Sequence, residues 1–186
     1  GPWYVQNDFY QTCGESTIRN LLLGTAKAKE WGATRKMTGY APDHFGIISQ
    51  LPQILRGFGM DSLIFGRGRV CNPENGKKGE FIFEGIDGSQ ILGVQLVGFY
   101  NNAQRFSEDP ARARRFFEMI REKLEPCTVS GEYLLMNGCD HLEAQENLMP
   151  ILKGLQSGMK PDETIFQSTL SEYADAVRSR LKNPEI

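Results

Sequence analysis

The chain has 186 residues, with 21 Lys and Arg against 23 Asp and Glu, a net charge of −2 and a pI near 5.8. Its 40% apolar and 24% charged residues are the proportions of a folded unit able to bury a core. The near-neutral charge excludes nucleic-acid binding driven by bulk electrostatics, and no apolar run approaches the roughly 18 residues of a membrane span. The chain opens in mid-pattern at Gly1-Pro2-Trp3-Tyr4, without a charged-then-apolar leader, so no secretory signal is read and a removed one stays open. Cys13, Cys71, Cys127 and Cys139 are scattered without zinc-ribbon or redox spacing and read as reduced thiols of a cytoplasmic protein; disulfide pairing is the weaker alternative.

In chain order, Gly14 to Trp31 carries Ile18, Leu21, Leu22 and Ala26 at near-helical spacing and stops at Gly32. A short strand is predicted over Lys36–Ala41, closed by Pro42. A helix follows over Gly46–Phe58, with Pro52 about a turn inside it, and then a strand over Met60–Phe65. Arg69–Lys78 reads as a loop. Phe81–Glu84, Asp87-Gly88 and Gln90–Leu96 form a β-hairpin pattern with a tight primed turn. Asp109-Pro110 caps and opens a helix to about Leu124. A strand over Glu132–Met136, a helix over Asn147–Leu155, a short strand, and a helix capped by Ser168 and running to Leu181 complete the chain. Such alternation predicts an α/β unit with a parallel sheet, helices outside and a hairpin excursion, over residues 1–186 as one unit.

In parallel α/β sheets, chemistry gathers at the carboxyl ends of strands. Two predicted junctions there carry a carboxylate: Asp43, in Tyr40-Ala41-Pro42-Asp43-His44-Phe45-Gly46, and Asp140, in Met136-Asn137-Gly138-Cys139-Asp140-His141. Two carboxylates across a cleft are the minimal apparatus of glycoside hydrolysis. By residue type alone, Asp43 reads better as a helix N-cap, and Asp140 with Gly138 equally well as a turn.

Three ordered segments carry a resemblance. Gly1-Pro2-Trp3-Tyr4-Val5 to Asp8, with Gly14-Glu15-Ser16 and Ile18-Arg19-Asn20-Leu21-Leu22, is the first. Tyr40 to Gly46 with Ile48-Ser49-Gln50-Leu51-Pro52-Gln53-Ile54-Leu55-Arg56-Gly57-Phe58-Gly59 is the second. Leu134 to Glu143 is the third. Together they resemble glycoside hydrolase family 38, the α-mannosidases, most closely the bacterial branch with mannosylglycerate hydrolases. The resemblance implies part of a (β/α) barrel and a retaining mechanism, with Asp43 as nucleophile and zinc ligand and Asp140 as general acid/base. It also implies substrate contacts from Phe45, Arg67 and Tyr100, and for Asp8 a role that is either structural or one of support behind the site's own residues.

The sequence departs from the family pattern at Cys139, often Asp, and at His44 and Ile47, where Ser or Pro and His are common. Of the family's zinc ligands only Asp43 falls within the chain, since a His-x-Asp pair is expected upstream and a further His downstream. The resemblance therefore implies the central part of a larger catalytic domain, inactive by itself. Its expected partners are an α-mannoside, free or phosphorylated, and the rest of the parent polypeptide, with neither nucleic acid nor membrane; a homo-oligomer is compatible. The competing reading is a non-catalytic α/β module that binds a sugar or partner. Arg112, Arg114 and Arg115 suit a phosphate site but read better as a solvated helix face.

Overall fold

The computed structural model describes residues 2–33 and 37–181. Four strands, β1 (Gly39–Ala41), β2 (Ser62–Phe65), β3 (Glu80–Glu84) and β4 (Gln90–Gln95), form one sheet in the order β1-β2-β4-β3. β1, β2 and β4 run parallel, with Tyr40 beside Ile64 and Ile64 beside Val94; β3 is antiparallel to β4. The helices are α1 (Gly14–Glu30), α2 (Leu51–Gly57), α3 (Pro110–Leu124), α4 (Leu148–Gln156) and α5 (Leu170–Arg180).

β2 is buried at all four residues because the sheet is covered on both faces. Leu63 and Phe65 join Trp3, Leu21 and Leu55 on the α1 and α2 side, whereas Ile64 turns the other way to pack with Leu92, Val94, Ala174 and Val177 of β4 and α5. α3 and α4 bury Phe117, Ile120, Leu152 and Leu155 in a separate cluster. Among the described residues the sheet is open: the expected alternation is present, and no closed barrel is formed.

Local structure corrects several expectations. The helix predicted from Gly46 begins at Leu51, with Pro52 in its first turn, because a proline further inside would lack an N–H to donate and would clash with a preceding carbonyl. The hairpin is present, but its turn is longer than expected. Gly85 and Ser89 close it, and Gly88 takes φ 81 while Asp87 keeps a negative φ and receives the Ser89 N–H and O–H. Glu132–Met136 is not a ladder strand: Leu134 O and Met136 N bond to the Asn102 side chain, and Met136 O accepts from Ala103 N. The short strand expected before the last helix is irregular chain. Thr169, not Ser168, caps α5, in a reciprocal box with Glu172; α3 is capped by Asp109 as expected. The predicted first strand begins at Lys36, which lies outside the described residues.

The thiol reading is also corrected. Cys71 and Cys127 form a disulfide with Cα atoms 6.1 Å apart, whereas Cys13 and Cys139 are free. The loop carrying Cys71 returns along α3's end, where Gly79 N donates to Cys127 O and Lys78 Nζ to Pro126 O, and this brings the sulfurs together. The argument from cysteine usage to a reducing compartment falls with that pair. Among the described residues no helix is long and apolar enough to cross a membrane.

Candidate active site

Three parallel strands end at the same edge of the sheet, and each delivers a residue of the site. β1 leads through Pro42 to Asp43, β2 through Gly66 to Arg67, and β4 through a turn at Gly98 to Phe99 and Tyr100. The first two exits touch. A Cβ on Gly66 would lie 2.0 Å from Pro42 O, so only glycine lets β2 leave the sheet this close to the chain entering Asp43.

At that approach Arg67 grips Asp43. Its Nε donates to Oδ1 at 2.7 Å and its Nη2 lies 2.5 Å from the same oxygen. The guanidinium stacks between two rings, Phe45 at 5.3 Å and Phe99 at 5.0 Å. Phe45 is 69% exposed, an apolar surface beside the carboxylate.

The second carboxylate is held by a phenol: Tyr100 donates its hydroxyl to Asp140 Oδ2 at 3.1 Å. Asn102 fixes the run leading to Asp140 by donating to Val97 O and Leu134 O and accepting from Met136 N. Asn137 Nδ2 adds bonds to Ala103 O and Gln145 Oε1. The two halves meet electrostatically at Tyr100. Its phenol is pushed up by partial desolvation, by its bond to Asp140 and by the charges of Asp43 and Asp140. Tyr40 is pushed up to about 12 by burial, with smaller contributions from Tyr100 and Asp140. The structure thus brings Asp43, Phe45, Arg67, Tyr100 and Asp140 to one mouth.

The other singled-out residues separate from it. His44 turns into the core, stacked on Phe9 at 4.5 Å and tilted against Trp3 at 5.8 Å, and burial lowers its pKa to about 4. His141 is exposed at φ 61, and Cys139 Sγ accepts from Asn101 Nδ2 at 3.7 Å. Asp8 closes a turn by accepting from Tyr10 N, a structural role. Arg112 and Arg115 are exposed on α3, while Arg114 bonds Leu155 O across to α4. A cavity of about 770 Å³ lies behind Tyr40, Tyr100 and Cys139, against residues 162–170, and neither Asp43 nor Asp140 lines it.

Phe99 escaped the reading from sequence, whereas Tyr100-Asn101-Asn102 reads there as a run past a strand that could line the cleft. The signal of Phe99 was faint: a glycine and an aromatic just past a strand.

The described residues do not by themselves make a zinc site. Zinc needs about four His, Cys, Asp or Glu ligands. Among the described residues no three such side chains cluster, and Asp43 already has Oδ1 bound by Arg67.

Residues 1–185 match the model of the glycosyl hydrolases family 38 N-terminal domain. The chain belongs to that family. It is 32% identical over 190 residues to the "Putative mannosylglycerate hydrolase" of Halalkalibacterium halodurans, covering 97% of this chain and 21% of that protein. Alpha-mannosidase G of Dictyostelium discoideum is 39% identical over 94 residues, 50% of this chain and 8% of that protein. Among solved structures, an alpha-mannosidase from Enterococcus faecalis V583 superposes with a TM-score of 0.90 at 28% identity, over 98% of this chain and 21% of that one. The chain therefore spans about a fifth of the length of the family 38 relatives it matches end to end.

Proposed function

We propose that these residues form the heart of a retaining α-mannosidase site belonging to a longer catalytic domain. The observation that carries the reading is the pair of separately held carboxylates, Asp43 on Arg67 and Asp140 on Tyr100, the two holders following the ends of the adjoining strands β2 and β4. With Oδ1 engaged by Arg67, Asp43 presents Oδ2 to the anomeric carbon. The Asp43–C1 bond forms as the bond to the aglycone breaks, and Asp140 gives its proton to the departing oxygen. Water then attacks C1, Asp140 takes the water's proton, and Asp43 leaves. Arg67 orients the nucleophile, Tyr100 fixes the acid, and Phe45 packs against the sugar.

Family resemblance adds zinc, with Asp43 as one ligand and the others supplied by polypeptide beyond these residues. The 186-residue chain alone is then expected to bind no stoichiometric zinc and to show no turnover. In the full-length protein, Asp43→Ala should lower turnover of α-mannosides roughly a thousandfold or more. The substrate panel is aryl mannosides, mannosylglycerate, and free and phosphorylated mannosides. Unchanged turnover in that variant sinks the assignment, and sugar binding by the wild-type protein without hydrolysis points to the binding module instead.

A further inference from the structure

Phe99 has a backbone conformation and a pair of neighbours that the core does not require. Its φ is 75, a region costly for a residue with a Cβ, entered just after Gly98 at φ 74 and closed by the bond from Phe99 N to Leu96 O. Among the described residues, Phe99 belongs to none of the apolar clusters that hold the sheet and helices together. The strain instead sets the ring in a particular place. It lies 5.0 Å from the Arg67 guanidinium and 4.3 Å from the Tyr100 ring, inclined at 40° to that ring. The space is opened by Gly66, whose Cβ would come within 2.8 Å of Phe99 Cε2.

That place lies between the two arms of the site. Arg67 bonds Asp43, and Tyr100 bonds Asp140. A guanidinium held between two aromatic faces keeps its N–H groups in one plane, and the face supplied by Phe99 is anchored to the strand end that carries Tyr100. Phe45, the other face, is largely exposed and sits two residues from Asp43 itself, so it cannot link the arms. We propose that Phe99 is a positioning residue of the mannosidase reaction: its ring lies under Arg67 and packs, tilted, against Tyr100, and so holds the two carboxylates in one register. The inference rests on the α-mannosidase reading above.

The test uses the full-length protein and Phe99→Leu, Phe99→Gly and Phe99→Tyr. Loss of the ring should lower kcat about tenfold in the Leu and Gly variants with KM changed less than about threefold, because the bound sugar's contacts survive while alignment does not. Phe99→Tyr should restore kcat to within about threefold of wild type. Phe99→Gly also removes the backbone strain, so it keeps the test alive if the Leu variant fails to fold, and its thermal midpoint should not fall. Wild-type kcat in folded Phe99→Gly overturns the proposal, as does a Phe99→Tyr enzyme as slow as Phe99→Leu. A second readout needs no substrate: the Arg67 Nε–H resonance, shifted by the flanking rings, should move in Phe99→Gly and return in Phe99→Tyr. If the wild-type enzyme hydrolyses no mannoside, the mannosidase reading fails while this resonance still reports the stacking; an unmoved resonance overturns the stacking whatever the activity.

Discussion

At the scale of single residues, the site depends on side-chain geometry more than on charge count. Arg67 places two nitrogens on one oxygen of Asp43 while its guanidinium carbon lies over the rings of Phe45 and Phe99, a fork that a lysine cannot reproduce. Arg67→Lys should therefore lower kcat about tenfold despite its unchanged charge, measured beside Arg67→Ala; equal rates for Lys and Arg would show that charge alone suffices. Tyr40 gives a pH signature. Its folded pKa of about 12 lies above the ordinary value of 10, so the folded state keeps this proton after the unfolded state has lost it. The stabilisation is full below pH 10 and disappears as pH rises through about 12. Urea midpoints measured across that window should fall less steeply in Tyr40→Phe than in wild type. The meeting of Asp43, Asp140, Phe45, Arg67 and Tyr100 at one mouth was expected from the motif resemblance; Phe99 was not singled out, because its place depends on a backbone angle and on Arg67, a neighbour distant in sequence.

At the scale of elements, local chemistry predicted best where the chain supplies its own partners. Asp109-Pro110 opens α3, and Gly88 closes the hairpin, as turn and cap physics require. Expectations failed where a tertiary partner decides. Glu132–Met136 has strand-like composition, yet its backbone is claimed by the amide of Asn102. The turn before it is organised by Glu80, a carboxylate 2% exposed at the start of β3. Glu80 accepts from Thr128 and Ser130 hydroxyls on one oxygen and from Val129 and Ser130 N–H groups on the other. Glu80→Gln turns an amide toward donors on one side and should cost about 2–4 kcal/mol in urea denaturation. A loss under about 1 kcal/mol would mean that the turn holds without it.

At the scale of the whole molecule, long connections matter. The disulfide joins Cys71 to Cys127 across 56 residues, tying the loop after Arg67 to the end of α3. Constraining an unfolded loop of that length stabilises by about 4 kcal/mol in the chain-entropy account, so Cys71→Ser or reductant should lower the unfolding midpoint clearly. Identical midpoints with and without reductant would remove the bond from the solution structure. The sheet is open among the described residues, and the chain spans about a fifth of the two relatives it matches end to end.

The sequence by itself determined the α/β class, the cap of α3, the hairpin and the family, because these follow from periodicity, backbone chemistry and ordered motifs. Only the tertiary structure decided that Glu132–Met136 is bolted by side chains, that Cys71 meets Cys127, and that His44 goes inward. It alone placed Phe99 between the arms of Asp43 and Asp140. Each of those outcomes depends on which distant groups satisfy a backbone, a thiol or a ring, and spacing along the chain carries no record of that.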